Sequence, residues 1–128
     1  MHQVLLDANF LVLPFQFNVP VFDEIERLIG PDHACNTLER TYNEALNLED
    51  QQYHQLVQKL VAVKDVHIIE TAADVPVDQQ LLEYAQDGYI LCTNDTELKR
   101  RVDHHNLPHI FLRQQNHLEG KHLDMLTF

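Results

Sequence analysis

Three glycines, two cysteines and nine Lys and Arg residues in 128 positions exclude several classes of protein at once. With so few glycines the chain carries no dinucleotide-binding G-x-G-x-x-G fingerprint and no P-loop, and no nucleophile elbow is present either. Cys35 and Cys92 both lie in apolar, strand-like runs, which reads as buried thiols rather than a disulfide or a metal pair. No apolar run approaches the roughly 20 residues needed to cross a bilayer. The start of the chain lacks a basic segment and a small-residue cleavage site, so a cytoplasmic location is expected. Cations are scarce, nine against twenty Asp and Glu for a net charge of −11. That balance argues against a protein that coats nucleic acid with a basic surface. A nuclease stays open, because acids gathered around metal ions account for part of the excess. Five of the nine cations, Lys99, Arg100, Arg101, Arg113 and Lys121, fall in the last third of the chain.

What is present is a sequence able to build one domain, with 45% hydrophobic residues to fill a core. Residues 3–7 read as a strand and residues 14–18 as a loop. Asn18 is placed to cap a helix from Pro20, whose face is Val21, Phe22, Ile25, Leu28 and Ile29 and whose stop is Gly30-Pro31. A short strand at 33–36 precedes helical spacing at Leu38, Thr41, Tyr42, Ala45 and Leu48, and a further helix spans 51–63. A strand at 66–69, a helix opened by Pro76, a strand at 89–93, a helix marked by Leu98 and Val102, and a last strand at 109–112 complete the pattern. Strands alternating with helices predict an α/β fold with a mainly parallel, Rossmann-like sheet and helices on both faces. Residues 1–113 make the expected domain. Residues 114–128 read as a polar tail whose Leu123, Met125, Leu126 and Phe128 dock on the body or on a partner subunit.

Chemistry concentrates at two strand ends. Val4-Leu5-Leu6 closes on Asp7-Ala8-Asn9, and Tyr89-Ile90-Leu91-Cys92-Thr93 closes on Asn94-Asp95. A buried parallel strand does not tolerate charge within its length, whereas its C-terminal tip is where open α/β sheets bind ligands. Glu44, on the flank of a helix, and Asp78, in the first turn of another, complete the acidic set. Converging carboxylates repel unless a cation neutralises them, and Mg²⁺ and Mn²⁺ favour oxygen ligands. Such a metal supports phosphodiester hydrolysis to a 3′-hydroxyl and a 5′-phosphate. Each acid also has a plain structural role: Asp78 complements a helix dipole, Glu44 is a solvated flank, and Asp95 caps the helix after it. The late histidines, His104, His105, His109, His117 and His122, show no closed zinc spacing and are expected to form polar surface.

The segments LLDANFL, Asp78-Gln79-Gln80-Leu81-Leu82 and ILCTNDTELKRR resemble, in order, three blocks of PIN-domain ribonucleases, and the resemblance covers about residues 3–113. It is strongest to the small archaeal PIN proteins related to the eukaryotic nucleases of small-subunit ribosomal RNA maturation. It implies a single PIN domain acting as a Mg²⁺- or Mn²⁺-dependent endoribonuclease, with ribosomal RNA processing as the setting. Asp7, Asp78 and Asp95 match the family's acids, with Asn9 and Asn94 as polar neighbours and Thr93 as the hydroxyl that orients the last acid. Glu44 matches the helix-borne acid, with Glu39 as the alternative. Gln79 stands where relatives often carry a second Asp, and the usual strand-Pro entry before the helix-borne acid is absent. Lys99, Arg100, Arg101 and Arg113 are the candidates to bind RNA phosphates, although residues in sequence on a helix point about 100° apart, so only one or two of the three consecutive cations can face one strand. The alternatives are a PIN-type toxin held by a small antitoxin protein and an inactive RNA-binding scaffold. A homodimer is the expected assembly.

Overall fold

The computed structural model describes residues 1–126. Six strands form one sheet in the order β3-β2-β1-β4-β5-β6. The strands are β1 (His2–Leu6), β2 (His33–Leu38), β3 (His67–Ile69), β4 (Ile90–Cys92), β5 (His109–Arg113) and β6 (His117–Lys121). The first five are parallel, and β6 runs antiparallel to β5. This is the α/β sandwich that the alternation of elements predicts.

The pleat divides the core. Val4, Leu6, Ile90, Cys92 and Ile110 point to one face, where they meet α1 (Ala8–Gln16), α2 (Val21–Ile29), α3 (Glu39–Asn47) and α4 (His54–Val63). Leu5 and Leu91 point to the other, against Leu81, Leu82 and Ala85 of α5 (Val77–Gln86) and Leu98 and Val102 of α6 (Thr96–His104). Because β1 and β4 are covered on both faces, every residue in their centres must be apolar, which explains their unbroken hydrophobic runs. Cys35 and Cys92 are both buried free thiols.

Three local expectations are corrected. Helix α1 continues through Pro14 to Gln16, where a loop was expected from residue 14. Ala8, Phe10, Leu11, Val12 and Leu13 are all buried, so this helix is apolar around its circumference and carries no amphipathic period. Asn18 does not cap α2. Pro20 occupies that position with no side-chain cap, and Asn18 takes a left-handed φ of 54° in the connection.

The third correction is β6, in the segment read as a tail. Arg113 pairs with His117 across a turn in which Gln114 and Gln115 adopt φ of 55° and 59°. Asn or Gly normally announces such a conformation, so two glutamines conceal the hairpin. Leu118 is fully buried and fixes the strand to α2: Arg27 donates to the Leu118 carbonyl at 2.7 Å, and Glu24 accepts from its N–H at 3.1 Å. Gly120 leaves room for Leu123, because a Cβ there would overlap the Leu123 side chain. Leu123 and Leu126 pack on the core while Met125 is exposed, and Phe128 lies outside the described residues.

Candidate active site

Chain order in the sheet reverses between β1 and β4, and the crevice beyond their C-terminal ends is the position at which open α/β sheets hold ligands. Asp7 leaves β1 at this point and Thr93-Asn94-Asp95 leaves β4. The two ends are tied together by the Asp7 N–H, which donates to the Cys92 carbonyl at 3.0 Å.

A hydrogen-bonded line runs from Asp7 to Asp95. Asp7 caps α1, its Oδ1 accepting from the Ala8 N–H at 2.8 Å. Its Oδ2 accepts from the Thr93 hydroxyl at 2.7 Å. The same Thr93 oxygen accepts from the Asp95 N–H at 3.1 Å, and Asp95 Oδ1 caps α6 by accepting from the Leu98 N–H at 2.8 Å. Asn94 Oδ1 accepts from the Leu112 N–H at 2.8 Å and so secures this turn to β5. Asp95 is therefore a helix cap, and Asp7 is one as well. Each uses one carboxylate oxygen as a cap. That arrangement suits an acid that must hold its orientation while presenting remaining lone pairs outward. Asn9, by contrast, is exposed in the first turn of α1.

Glu44 lies on α3, on one face of the sheet, and Asp78 lies in the first turn of α5, which packs on the other. Burial pushes the Asp7 carboxyl above its usual range. The Thr93 and Ala8 hydrogen bonds oppose this, and the charges of Asp78 and Asp95 add to it. Glu44 is also raised, first by burial and then by repulsion from Asp7 and Asp78. Asp7 thus stands in the field of Asp78, Asp95 and Glu44, and Glu44 in that of Asp7 and Asp78. Glu39 lies five residues before Glu44 on the same helix, about 140° around its axis, so the two cannot face one site. Arg40 links α3 to the segment before α5 by donating to the carbonyls of Ala72, at 3.2 Å, and Val75. Sequence reasoning missed Arg40, since nothing in a lone arginine signals two backbone carbonyls more than thirty residues away.

The donor set is oxygen only and rich in carboxylate, which fits a hard divalent cation and not a thiolate- or imidazole-seeking metal. Among the described residues, no three His, Cys, Asp or Glu side chains come together closely enough to hold an ion. An ion bound through one or two carboxylates and several waters, the habit of Mg²⁺, does not need such a group. The mutual repulsion at Asp7 and Glu44 is what added positive charge would relieve.

The cations divide. Lys99 and Arg100 share one stripe of α6, and Arg113 lies beside them at the end of β5, whereas Arg101 falls outside this stripe. Lys99 sits over the Phe111 ring, 5.3 Å from its centroid. Lys121 of the unforeseen strand β6 joins this group. Among the histidines, His109 is 1% exposed and thus part of the interior, contrary to the expected polar surface.

The chain is a doubly wound α/β domain with Asp7 and Asp95 at the strand ends where the order of the sheet reverses. Within that class, the chain belongs to the PIN like domain family, which it matches over residues 4–115. It is 25% identical to Ribonuclease VapC4 of Methanocaldococcus jannaschii over 127 residues, spanning 93% of this chain and 96% of that protein. Its fold is similar to that of the PIN domain endonuclease Utp24, with a TM-score of 0.74 at 15% identity, over 94% of this chain and 92% of the other.

Proposed function

We propose that this chain is a divalent-metal-dependent endoribonuclease that hydrolyses RNA phosphodiester bonds at the β1/β4 edge. The observation that carries the reading is the Asp7–Thr93–Asp95 line, with Glu44 and Asp78 in electrostatic reach of Asp7. Membership of the PIN like domain family and the ribonuclease name of a relative matched over nearly its whole length support it.

Of Asp7, Asp78, Asp95 and Glu44, one or two would hold Mg²⁺ or Mn²⁺ directly and the others through its waters, and the ion would supply positive charge to stabilise negative charge developing on the phosphate. The chain's own contribution is preorganisation. Thr93 orders both of its neighbouring acids through a single hydroxyl, and the caps of α1 and α6 fix their rotamers. Arg40 holds the approach to α5 and with it the position of Asp78. Asn94 braces the turn and Asn9 offers a polar contact at the rim. Lys99, Arg100 and Arg113 contact RNA phosphates, with Arg101 acting only at longer range. Water adds to phosphorus as the bond to the 3′-oxygen breaks, so the products carry a 5′-phosphate and a 3′-hydroxyl.

The substrate we propose is a structured RNA such as a ribosomal precursor. The test is cleavage of end-labelled RNA with EDTA and after Mg²⁺ or Mn²⁺ is restored. Cleavage that is metal-dependent and lost in Asp7→Asn supports the reading, whereas cleavage that survives EDTA or Asp7→Asn overturns it. Growth arrest on expression that a small co-expressed partner protein relieves would move the assignment to a toxin. Binding of RNA without cleavage would make the chain a scaffold.

A further inference from the structure

On the α5–α6 side of the sheet, beyond the last residue of the acidic site, lies a groove of about 250 Å³ between α6 and the β5–β6 hairpin. Its geometry follows from two periods. Alternate residues His109, Phe111 and Arg113 of β5 point to one face, and Lys121 of β6 is paired with His109. Opposite them, Thr96, Lys99, Arg100 and Asp103 form a stripe at helical spacing on α6. The groove is about 10 Å long, the rise of seven helical residues. It starts at Thr96, next to Asp95, where Asn94 is bonded to the strand beside Arg113.

Four of the protein's nine Lys and Arg residues, Lys99, Arg100, Arg113 and Lys121, line this one depression in a chain of net charge −11. Three carry surface ion pairs: Arg100 with Glu97 at 2.6 Å, Arg113 with Glu119 at 3.5 Å and Lys121 with Asp103 at 3.7 Å. Their side chains are 67%, 55% and 55% exposed, so these pairs contribute little and yield readily to a phosphate. The base of the groove is not charged. Phe111 lies beneath Lys99, and His109 bonds the Leu107 carbonyl through Nδ1 at 2.9 Å. His109 is buried, so it shapes the floor of the groove and offers no contact to a ligand. A basic groove of this kind tracks the backbone of a single nucleic-acid strand.

We propose that this groove is a binding track for the RNA strand immediately beside the scissile phosphate, with β6 supplying one of its phosphate contacts through Lys121. The assignment rests on the endoribonuclease reading for its ligand. Continuity with Asp95 favours RNA over an acidic protein segment, which the same cations would otherwise attract.

The test is fluorescence anisotropy of a 5′-fluorescein-labelled, unstructured 12-nucleotide RNA with the full chain in EDTA. The groove variant is Arg113→Ala with Lys121→Ala. The charge-matched control is Lys59→Ala with Lys64→Ala, both exposed positions outside the groove. The track predicts that the groove variant raises Kd by about tenfold or more. The slope of log Kd against log salt should fall by about 1.4, two single-strand phosphate contacts. The control should stay within about twofold of the unsubstituted chain, since distant exposed charges are screened. Groove and control variants that bind alike, or an unchanged salt slope, overturn the track. Displacement of the RNA by an equal concentration of a poly-glutamate peptide of the same length overturns the choice of RNA in favour of an acidic protein partner. Turnover by the unsubstituted chain with Mn²⁺ separates the two readings. Groove-dependent binding without cleavage removes the nuclease and leaves the track, whereas cleavage with groove-independent binding removes the track alone.

Discussion

Thr93→Val removes one hydroxyl and tests the line between the two strand-end acids with little change of shape. Thr93 is fully buried, and its oxygen both donates to ionised Asp7 and accepts from the Asp95 N–H. The first bond is charge-assisted and contributes about 1.5–3 kcal/mol, the second about 1 kcal/mol. The new methyl returns about 0.8 kcal/mol through burial. The net loss is about 2 kcal/mol, or about 7 °C in Tm for a domain of this size. Its pH dependence is the sharper readout. Burial raises the Asp7 carboxyl above its ordinary value of 3.8, and the Thr93 bond holds it down. A carboxyl raised in the fold contributes stability that is complete below the unfolded value and is lost as pH rises through the folded one. Without the hydroxyl the folded value rises further and more stability is lost, so the pH-dependent part of the deficit opens as pH climbs through the unsubstituted chain's folded value, above 3.8, and levels off above the variant's. Urea unfolding across that window measures it. Thr93→Ser, which keeps the bond and loses only a methyl, should show a smaller deficit of about 1 kcal/mol that does not vary with pH. A Thr93→Val deficit equally flat would refute the link between this hydroxyl and an ionised Asp7.

Other consequences concern the frame around the site. Leu118→Ala should cost about 3 kcal/mol in urea unfolding, because the residue is fully buried and holds β6 against α2. Arg40→Met keeps an unbranched apolar stem but drops both carbonyl bonds. Hydrogen exchange at 72–75 should quicken and RNA cleavage should fall, with a stability loss of about 1 kcal/mol. Burial raises the Cys35 thiol to about 11 and the Cys92 thiol well above its usual range. Iodoacetamide at neutral pH should therefore leave both unmodified in the native protein and alkylate both in urea, as mass spectrometry would show.

The sheet and the two acids at its strand ends were legible where local sequence determines the outcome. A strand covered on both faces must be apolar to its end, so Asp7 and Asp95 stood out as the first residues able to carry charge. What lay hidden depends on distant partners. Helix α1 has no polar face to reveal its period, because α2, α3 and α4 surround it. The β5–β6 turn uses glutamines at positive φ, and the strand after it is stabilised by Glu24 and Arg27, more than ninety residues away. Lys121 could be counted as a cation but could not be assigned to a groove without that strand. The same limit applied to the acids: the family resemblance favoured Glu44 with Glu39 as the alternative, and it is the packing of α3 that brings Glu44 into the field of Asp7 and Asp78.

The most direct measurement is the initial rate of cleavage of one labelled RNA with Mn²⁺ by Asp95→Asn and by Glu39→Gln, beside the unsubstituted chain. Asparagine caps a helix as well as aspartate, so Asp95→Asn keeps α6 intact while removing a charge from the site. The account predicts a fall of about a hundredfold or more for Asp95→Asn at unchanged Tm, and a rate for Glu39→Gln within about twofold of the unsubstituted chain. Full activity in Asp95→Asn would contradict it.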